Sequence, residues 1–280
     1  MTRVLITGKN GFIGQRIARR IPLSRMESVR DGAWKAIDFS AYDCVVHAAG
    51  MAHVGYRDEL QDLYMAVNRD LTLDIARAAK AAGVRQFIFL SSIIVYGPAA
   101  RGGETRVITA ATPPSPENAY GLSKLEAEQG LSALADDTFR VAIMRLPMVY
   151  GRGSRGSFAL LLKYAEYLPV FPARCGRRSA IYVENLAEYI AYAIDRGLGG
   201  VFFPRDPASV TTPAMLSAIR AAMGKRTCVT RALDPLVRLA GGPGPMRRIF
   251  GGLEYSPELS LEIENIPMCT LEEAVRREVK

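Results

Sequence analysis

RVLITGKNGFIG, residues 3–14, places three glycines at three-residue intervals directly after an apolar run. The apolar run predicts a buried strand from Arg3 to Thr7, and Phe12 to about Arg20 is typical of a helix. Gly8 permits a tight turn, Gly11 lets the backbone approach a ligand closely, and Gly14 lets the helix pack near the strand. A strand, a glycine turn and a helix in this order indicate a site for the phosphates of a dinucleotide.

The bulk composition is that of an ordinary globular protein. The chain has 280 residues, 49% of them hydrophobic and 23% charged, with a formal net charge of +8. This length allows one large domain, or a core domain with a smaller lobe. Basic residues are dispersed rather than gathered in a stripe, which favours a small phosphate-bearing substrate over nucleic acid. No apolar run reaches the roughly 20 residues that span a bilayer, so we expect a cytoplasmic protein without membrane association.

The cysteine and histidine counts argue against a metal centre. The four cysteines are far apart and form no C-x-x-C pair, and the chain has two histidines. This pattern predicts neither a zinc site nor a disulfide framework, and it fits a reducing cytoplasm. The cysteines are Cys44, Cys175, Cys228 and Cys269.

Strands and helices are predicted to alternate along the first half of the chain. The predicted strands are Cys44–Ala48, Phe87–Leu90 and Phe139–Leu146, and the predicted helices are Leu60–Ala82, which ends at Gly83, and Pro116 to about Ala135. Such alternation indicates βαβ units and a parallel sheet covered by helices on both faces. The sequence therefore predicts a Rossmann-like, doubly wound α/β fold.

Composition changes after residue 150, where arginine, glycine, proline and aromatic residues become frequent. We assign residues 1–150 to the dinucleotide-binding core and 151–280 mainly to a smaller substrate-binding lobe. Core elements return at about 179–205, so the two parts are interleaved. A lobe at the carboxyl edge of the sheet lies where open parallel sheets bind their ligands.

Tyr120 and Lys124, in the segment AYGLSK, are four residues apart and share one face of a predicted helix. An ammonium group beside a phenol stabilises the phenolate and lowers the tyrosine pKa from its usual value of about 10. Such a tyrosine can transfer a proton to or from a substrate hydroxyl. Ser91 and Ser92, in FIFLSSIIVYG, end a predicted strand at the ligand-binding edge, where a hydroxyl can bond to the reacting oxygen.

Six motifs in order resemble those of the extended short-chain dehydrogenase/reductases, in particular the NAD-dependent epimerase/dehydratase family that acts on nucleotide sugars. The likeness extends from Arg3 to about Tyr192. The motifs are TGKNGFIG, DCVVHAAG, LSSIIVYG, YGLSK, MRLPMVYGRG and RRSAIYVENLAEYI.

The resemblance implies roles for the matching residues. Tyr120 would be the general acid/base, Lys124 would lower its pKa and bind the nicotinamide ribose, and Ser92 would orient the sugar oxygen. The implied cofactor-binding residues are Gly8, Asn10, Gly11, Phe12, Ile13, Gly14, Asp38, Phe39, Ala48, Ala49, Gly50, Tyr120, Lys124, Pro147 and Val149. The implied substrate-binding residues are Ser92, Tyr120, Ser157, Phe158 and Arg178. Arg178 resembles the arginine that holds the nucleotide diphosphate.

The segment between Gly14 and Asp38 is short for the family, and the usual strand and helix within it look abridged. The residue that distinguishes NAD from NADP is therefore not identified by the motif. Basic candidates are Lys9, Arg25 and Arg30, and acidic candidates are Glu27 and Asp31. The surplus of basic residues favours NADP(H) within the broader expectation of NAD(P).

The reaction implied by the resemblance depends on the residues after Ser92. Dehydratases of the family carry an Asp-Glu pair there, whereas this chain has Ile93 and Ile94, which cannot transfer protons. A 4,6-dehydratase is thus disfavoured. The expected enzyme acts at C4 of a UDP- or dTDP-hexose as a 4-ketoreductase in bacterial surface-polysaccharide synthesis, or alternatively as a 4-epimerase with tightly bound NAD.

Two other classes stay open. One is a non-catalytic dinucleotide-sensing protein on the same fold, which would not need the serine, tyrosine and lysine. The other is a reductase of hydroxysteroids or flavonoids, which Arg178 and the basic lobe disfavour. Family relatives often form homodimers through two helices, for which Leu60–Ala82 and Pro116–Ala135 are the candidates.

Overall fold

The computed structural model describes residues 2–52, 60–154, 156–240, 245–259 and 268–279. Its strands are β1 Val4–Thr7, β2 Ser24–Glu27, β3 Cys44–His47, β4 Gln86–Ser92, β5 Thr105–Ile108, β6 Arg140–Leu146, β7 Met148–Tyr150, β8 Val170–Pro172, β9 Arg177–Arg178, β10 Ala180–Tyr182, β11 Gly200–Phe202, β12 Val210–Thr211, β13 Cys228–Thr230 and β14 Gly252–Tyr255. Its α-helices are α1 Phe12–Arg20, α2 Gln61–Tyr64, α3 Leu71–Ala81, α4 Ala119–Leu134, α5 Ser157–Tyr167, α6 Val183–Asp195, α7 Thr212–Ala222, α8 Asp234–Ala240, α9 Pro245–Phe250 and α10 Leu271–Val279.

The chain divides into two compact units, the first formed by Met1–Gly97, Pro113–Leu146 and Leu186–Pro204. Its sheet has the strand order β2-β1-β3-β4-β6-β11, and every neighbouring pair is parallel. The chain reverses its direction of winding between β1 and β3, which is where open sheets of this kind bind ligands. The predicted doubly wound parallel sheet is confirmed.

Helices cover both faces of this sheet. Leu5, Val45 and Phe87 point into a core that also contains residues of α3 and α4, such as Ile75 and Leu131. The strand residues between them are also buried, so β1 and β3 are inaccessible along their whole length. Burial on both faces explains why these strands are continuous apolar runs rather than alternating patterns.

The predicted helix Leu60–Ala82 is three consecutive segments in the structure. Residues Gln61–Tyr64 and Leu71–Ala81 are α-helical, and Met65–Asp70 between them form a π-helical turn. Gly83 has a φ of +84°, so it ends α3 in the left-handed conformation, as predicted. The π-turn changes the helical register before α3 begins.

The segment between α1 and β3 contains a strand that the sequence analysis did not identify. Ser24–Glu27 pair with β1 in parallel, with Glu27 opposite Thr7. In place of a helix, short 3₁₀ segments follow, Arg30–Ala36 and Phe39–Ala41. The region is therefore short because the connecting helix is reduced, while the strand is retained.

The second unit consists of Pro98–Thr112, Pro147–Asn185 and Arg205–Lys280. It contains a four-stranded sheet of order β12-β9-β14-β5 and the two-stranded pairs β10-β7 and β13-β8. Its interior is aromatic: the ring of Tyr150 lies 5.5 Å from that of Phe158 and 5.7 Å from that of Tyr182. The Tyr150 hydroxyl donates to Asp206 at 2.7 Å, so this polar group is satisfied inside the unit.

Two features are absent from the described part of the chain. No helix there is long and apolar enough to cross a membrane. Among the same residues, no three or more histidine, cysteine, aspartate or glutamate side chains are grouped so that they could hold a metal ion.

Candidate active site

The glycine-rich turn follows β1 and leads into α1. Gly8 has a left-handed φ of +87°, and its backbone N–H donates to the carbonyl of Glu27 at 3.0 Å. The N–H of Lys9 donates to the same carbonyl at 3.3 Å, and the N–H of Gly11 donates to the carbonyl of Gly8 at 2.7 Å. The turn is thus fixed to the carboxyl end of β2.

Close packing limits the room for a side chain at two of the glycines. A Cβ on Gly8 would lie 3.1 Å from the backbone nitrogen of Ala49 and 3.2 Å from the carbonyl carbon of Ala48. A Cβ on Gly14 would lie 3.3 Å from Cε of Met26, so α1 packs closely against β2. The turns after β1 and β3 therefore meet backbone to backbone at the point where the winding of the sheet reverses.

The N-terminus of α1 suits a phosphate group. Among the described residues, no side chain caps it, and its first turn carries no acidic residue. Helix N-terminal N–H groups and the positive end of the helix dipole attract anions. Because the glycines also leave room for close approach, this turn fits the diphosphate of a dinucleotide. Asn10, Phe12 and Ile13 lie in the same turn and first helical residues.

Asp38 and Phe39, two of the implied cofactor-binding residues, differ in their surroundings. Asp38 is exposed, and its carboxylate accepts from the backbone N–H of Ser40 at 3.1 Å and from its hydroxyl at 2.6 Å. Phe39 is buried in the core of the first unit. Asp38 therefore caps the short 3₁₀ turn that follows it, and the neighbouring phenyl ring supports the sheet.

Asn68 connects the loop after β3 to α4. Its Oδ1 accepts from the backbone N–H of Met51 at 2.8 Å, and its Nδ2 donates to the Met51 carbonyl and to Ser123 Oγ, each at 3.1 Å. A Cβ on Gly50 would lie 3.1 Å from this Oδ1 and 3.3 Å from Nζ of Lys124. The loop is thus held against the helix that carries Lys124. Asn68 is not among the predicted site residues, because its orientation depends on the π-turn.

His47 is buried and neutral between two threonines. Thr72 Oγ1 donates to the carbonyl of Asn68 at 2.8 Å, so it accepts from His47 Nε2 at 3.1 Å. Thr7 Oγ1 then donates to Nδ1 at 3.0 Å and accepts from the Ala49 N–H at 3.2 Å. Burial, together with the charge of Lys124, lowers the pKa of His47 to about 3. This chain of bonds fixes the loop beside the glycine turn.

Tyr120 lies in the first turn of α4. The helix begins after Asn118, whose side chain accepts from the Gly121 N–H at 2.8 Å. A Cβ on Gly121 would lie 3.0 Å from the carbonyl oxygen of Ile94, so this end of the helix packs against the turn that follows Ser92. The helix begins three residues later than predicted, because Asn118 caps it and Pro116 lies outside it.

Lys124 is buried one turn further along the same face. Its Nζ donates to the carbonyl of Leu90 at 2.9 Å and lies 4.5 Å from the centre of the Phe89 ring. Burial lowers the pKa of Lys124 to about 8, and the Glu128 carboxylate opposes this shift. A cation held in so little water acts strongly on any charge that forms nearby.

The two serines at the end of β4 have different partners. Ser91 is buried, and its hydroxyl donates to Glu128. Ser92 is half-buried, and its Oγ accepts from the backbone N–H of Ile94 at 3.3 Å. Ser91 is bonded in the interior, so Ser92 is the more accessible of the two serines. Ile93 and Ile94 follow it with hydrocarbon side chains only.

The remaining predicted site residues belong to the second unit. Pro147 precedes β7. Val149 lies within β7 and pairs with Ile181 of β10. Phe158 is buried against Tyr150. Ser157 begins α5, and its side chain lies outside the described part.

Arg178 is in β9, where its Nη2 donates to the carbonyls of Ile249 and Gly251, each at 2.8 Å. Burial lowers the pKa of Arg178 to about 10. The guanidinium therefore supports the end of α9. Binding of a substrate by Ser157, Phe158 and Arg178 stays a prediction.

The model of the NAD dependent epimerase/dehydratase family matches residues 28–202, more than half of the chain. The chain belongs to this family. Among its curated relatives is the UDP-glucose 4-epimerase of Vibrio cholerae, which is 32% identical over 253 residues, covering 80% of this chain and 76% of the relative. The family expected from the six motifs is thereby confirmed.

Solved structures share the fold of this epimerase/dehydratase chain. Human epimerase family protein SDR39U1, solved with NADPH, has a TM-score of 0.76 and 19% identity and covers 99% of both chains. The Bordetella bronchiseptica enzyme WbmH, solved with NAD+, has a TM-score of 0.76 and 18% identity, and covers 100% of this chain and 97% of its own. The fold, which includes the Rossmann-like sheet of the first unit, is therefore shared with these structures.

Proposed function

We propose that this protein is an NAD(P)-dependent enzyme that interconverts hydroxyl and keto groups at C4 of a UDP- or dTDP-hexose. The observation that carries the proposal is the buried ammonium of Lys124 on the same helix face as Tyr120, beside the strand that ends in Ser92. Such a pair suits transfer of one proton to or from a hydroxyl group. The family and the Vibrio relative support the same chemistry.

The glycine turn and α1 would hold the diphosphate of the dinucleotide, with Ala48, Ala49 and Gly50 along its adenosine side. When bound, the dinucleotide supplies or accepts the hydride at the sugar carbon. Tyr120 would remove the C4 hydroxyl proton in the oxidative direction and return it in the reductive one. Ser92 would bond to the same oxygen and keep it facing the phenol, while the Lys124 ammonium stabilises the phenolate.

Between the two C4 reactions, the structure favours the 4-epimerase over the 4-ketoreductase that the sequence alone favours. Glu27 ends β2 beside the glycine turn, about 20 residues after its first glycine. An acidic residue at this place accepts from the ribose 2′-hydroxyl of NAD and repels a 2′-phosphate. An epimerase that oxidises and then reduces the same carbon needs no external hydride donor, which suits a retained NAD.

A second candidate function is the 4-ketoreductase with NADPH. Arg25 supports it, because its Nε lies 2.7 Å from the carboxylate of Glu27 and brings a positive charge to the same position. An arginine there can accommodate the 2′-phosphate of NADP.

Mass spectrometry of small molecules released on denaturation tests the proposal. We expect about one NAD per chain, and interconversion of a UDP-hexose with its C4 epimer without added cofactor. Tyr120→Phe should retain NAD and lose turnover by a factor of about 10² or more. An empty protein that binds NADPH more tightly than NADH would favour the ketoreductase.

Two outcomes would contradict the proposal. Absence of affinity for either dinucleotide would overturn it entirely. Dinucleotide binding without turnover of UDP- and dTDP-hexoses or their 4-keto forms would favour the non-catalytic sensing protein.

A further inference from the structure

A buried ion pair lies behind Tyr120 and Lys124. Glu128 is on α4, one turn beyond Lys124, and its side chain is 4% exposed, while that of Arg145 on β6 is 12% exposed. Arg145 Nη2 donates to Glu128 Oε2 at 2.6 Å, and its Nε donates to the same oxygen at 3.0 Å. Two donors on one carboxylate fix its orientation as well as its charge.

Two hydroxyl groups, one on β4 and one in the 3₁₀ turn that follows it, bond to this pair. Ser91 Oγ donates to the other carboxylate oxygen of Glu128, and Arg145 Nη1 donates to the hydroxyl of Tyr96 at 2.6 Å. Ser91 and Arg145 are also directly opposite each other in the β4–β6 register. The Glu128 carboxylate therefore joins α4 to β4, through Ser91, and to β6, through Arg145. Ser91 directly precedes Ser92.

The same carboxylate acts on the charge of Lys124. Burial lowers the pKa of Lys124 to about 8, and Glu128 is the group that raises it. His47 on β3 faces Lys124 but is neutral, and the carbonyl of Leu90 on β4 contributes a dipole only. On α4 itself, Tyr120 and Glu128 flank Lys124. Without the carboxylate, Arg145 would leave an uncompensated positive charge in this part of the protein.

We propose that Glu128 is a positioning residue that keeps Lys124 charged and holds α4 against the strand that ends in Ser92. The inference rests on the proposed role of Tyr120 as the acid/base, since Glu128 acts on the reaction through Lys124. The positive charge of Arg145 partly offsets the effect of this carboxylate on the pKa of Lys124. Removing one partner of a buried ion pair is strongly destabilising, because the other charge is left uncompensated.

Lysine ¹³Cε NMR titration tests this without any sugar substrate. The chain has seven lysines, and the Lys124→Arg variant assigns the signal of Lys124. We expect the midpoint of Lys124 to fall by about one pH unit or more in Glu128→Gln. It should rise in Arg145→Met, because the carboxylate then faces Lys124 alone. Glu126→Gln, which breaks the α4 ion pair with Arg69 at 2.6 Å, should leave the midpoint unchanged.

Opposite shifts distinguish a charge effect from general loosening of the helix. The proposal is overturned if both changes in the Glu128–Arg145 pair move the midpoint in the same direction, or if neither moves it. It is also overturned if Glu126→Gln moves it as much as Glu128→Gln. Should Glu128→Gln not fold, Arg145→Met decides, since a rise supports the proposal and no change or a fall contradicts it.

Kinetics then link the titration to the reaction. In Glu128→Gln, the alkaline limb of the kcat–pH profile should move to lower pH with the Lys124 midpoint, while Glu126→Gln keeps the wild-type profile. A profile that keeps its shape while the midpoint moves would contradict a role for Glu128 in turnover. If no nucleotide sugar is turned over, the proposed function fails, whereas the NMR result on Glu128 still stands.

Discussion

The rings of Tyr64 and Tyr120 pack against each other, with centroids 5.9 Å apart and planes tilted by 48°. Tyr64, in α2, is 2% exposed, so its buried ring packs against the phenol of Tyr120 and restricts its orientation. We predict that Tyr64→Leu lowers kcat about 10- to 100-fold, because misplacement of an acid/base by about 1 Å has an effect of this size. Dinucleotide affinity should change little.

Steady-state kinetics and dinucleotide titration of Tyr64→Leu and Tyr64→Phe check this prediction. Tyr64→Phe retains the ring, so it should retain most of kcat. A Tyr64→Leu enzyme with wild-type kcat would show that the orientation of Tyr120 does not depend on this contact.

Gly8 and Gly32 give a matched pair for the glycine turn. Both have positive φ, +87° and +78°, but a Cβ on Gly8 meets the backbone of Ala49 at 3.1 Å, whereas a Cβ on Gly32 meets no atom within 4 Å among the described residues. We predict that Gly8→Ala lowers dinucleotide affinity at least about 10-fold, because the turn must move to accept the methyl group. Gly32→Ala should cost only about 1–2 kcal/mol of backbone strain.

Isothermal titration with dinucleotide and denaturant unfolding of the two variants separate binding from strain. Equal losses of affinity in Gly8→Ala and Gly32→Ala would argue against the turn as the phosphate site.

The strands that could be predicted from sequence are those buried on both faces. β3 and β4 are short apolar runs rich in β-branched and aromatic residues, and these local features predict strands. β2 has the sequence SRME, in which three of the four residues are polar, and it is a strand because it pairs with β1. The strand state of β2 follows only from its pairing with β1, about 20 positions earlier in the chain.

Some residues of the candidate site could likewise be predicted from sequence, and others could not. Tyr120, Lys124 and Ser92 occur in local motifs, so their chemistry is visible in short windows of sequence. Asn68 acts through a π-turn, which helical periodicity does not encode. Glu128 and Arg145 meet only because α4 packs over the β4–β6 pair. Long-range partners of this kind depend on the tertiary structure.

His47 makes the stability of the fold depend on pH. Its pKa is about 3 in the folded protein, against 6.5 for a free imidazole, because of burial and the charge of Lys124. Below pH 6.5 the unfolded chain binds a proton that the folded chain does not, so the free energy of unfolding falls as the pH decreases toward 3. The fall should approach about 1.4 kcal/mol per pH unit.

Denaturant unfolding of the wild type and of His47→Gln between pH 7 and 4 measures this dependence. Carboxylates contribute equally to both proteins, so the difference in slope belongs to the imidazole. Parallel curves for the two proteins would show that His47 does not resist protonation in the fold.

Glu27 and Asp31 test which dinucleotide the site prefers. Glu27 ends β2, and its backbone carbonyl accepts from the N–H groups of Gly8 and Lys9, so this residue is held beside the glycine turn. We predict that the wild type binds NAD more tightly than NADP. Glu27→Gln should reduce this preference about 10-fold or more, the size expected for a hydrogen bond to a charged group. Asp31→Asn, on the exposed 3₁₀ segment, should leave this preference unchanged.

Competitive binding of the two dinucleotides to the wild type and to both variants gives the ratio of the two affinities directly. If the wild type already prefers NADP and Glu27→Gln has no effect, a basic residue such as Arg25 determines the preference instead. That outcome would favour the 4-ketoreductase over the 4-epimerase, because a reductase draws its hydride from the NADPH pool.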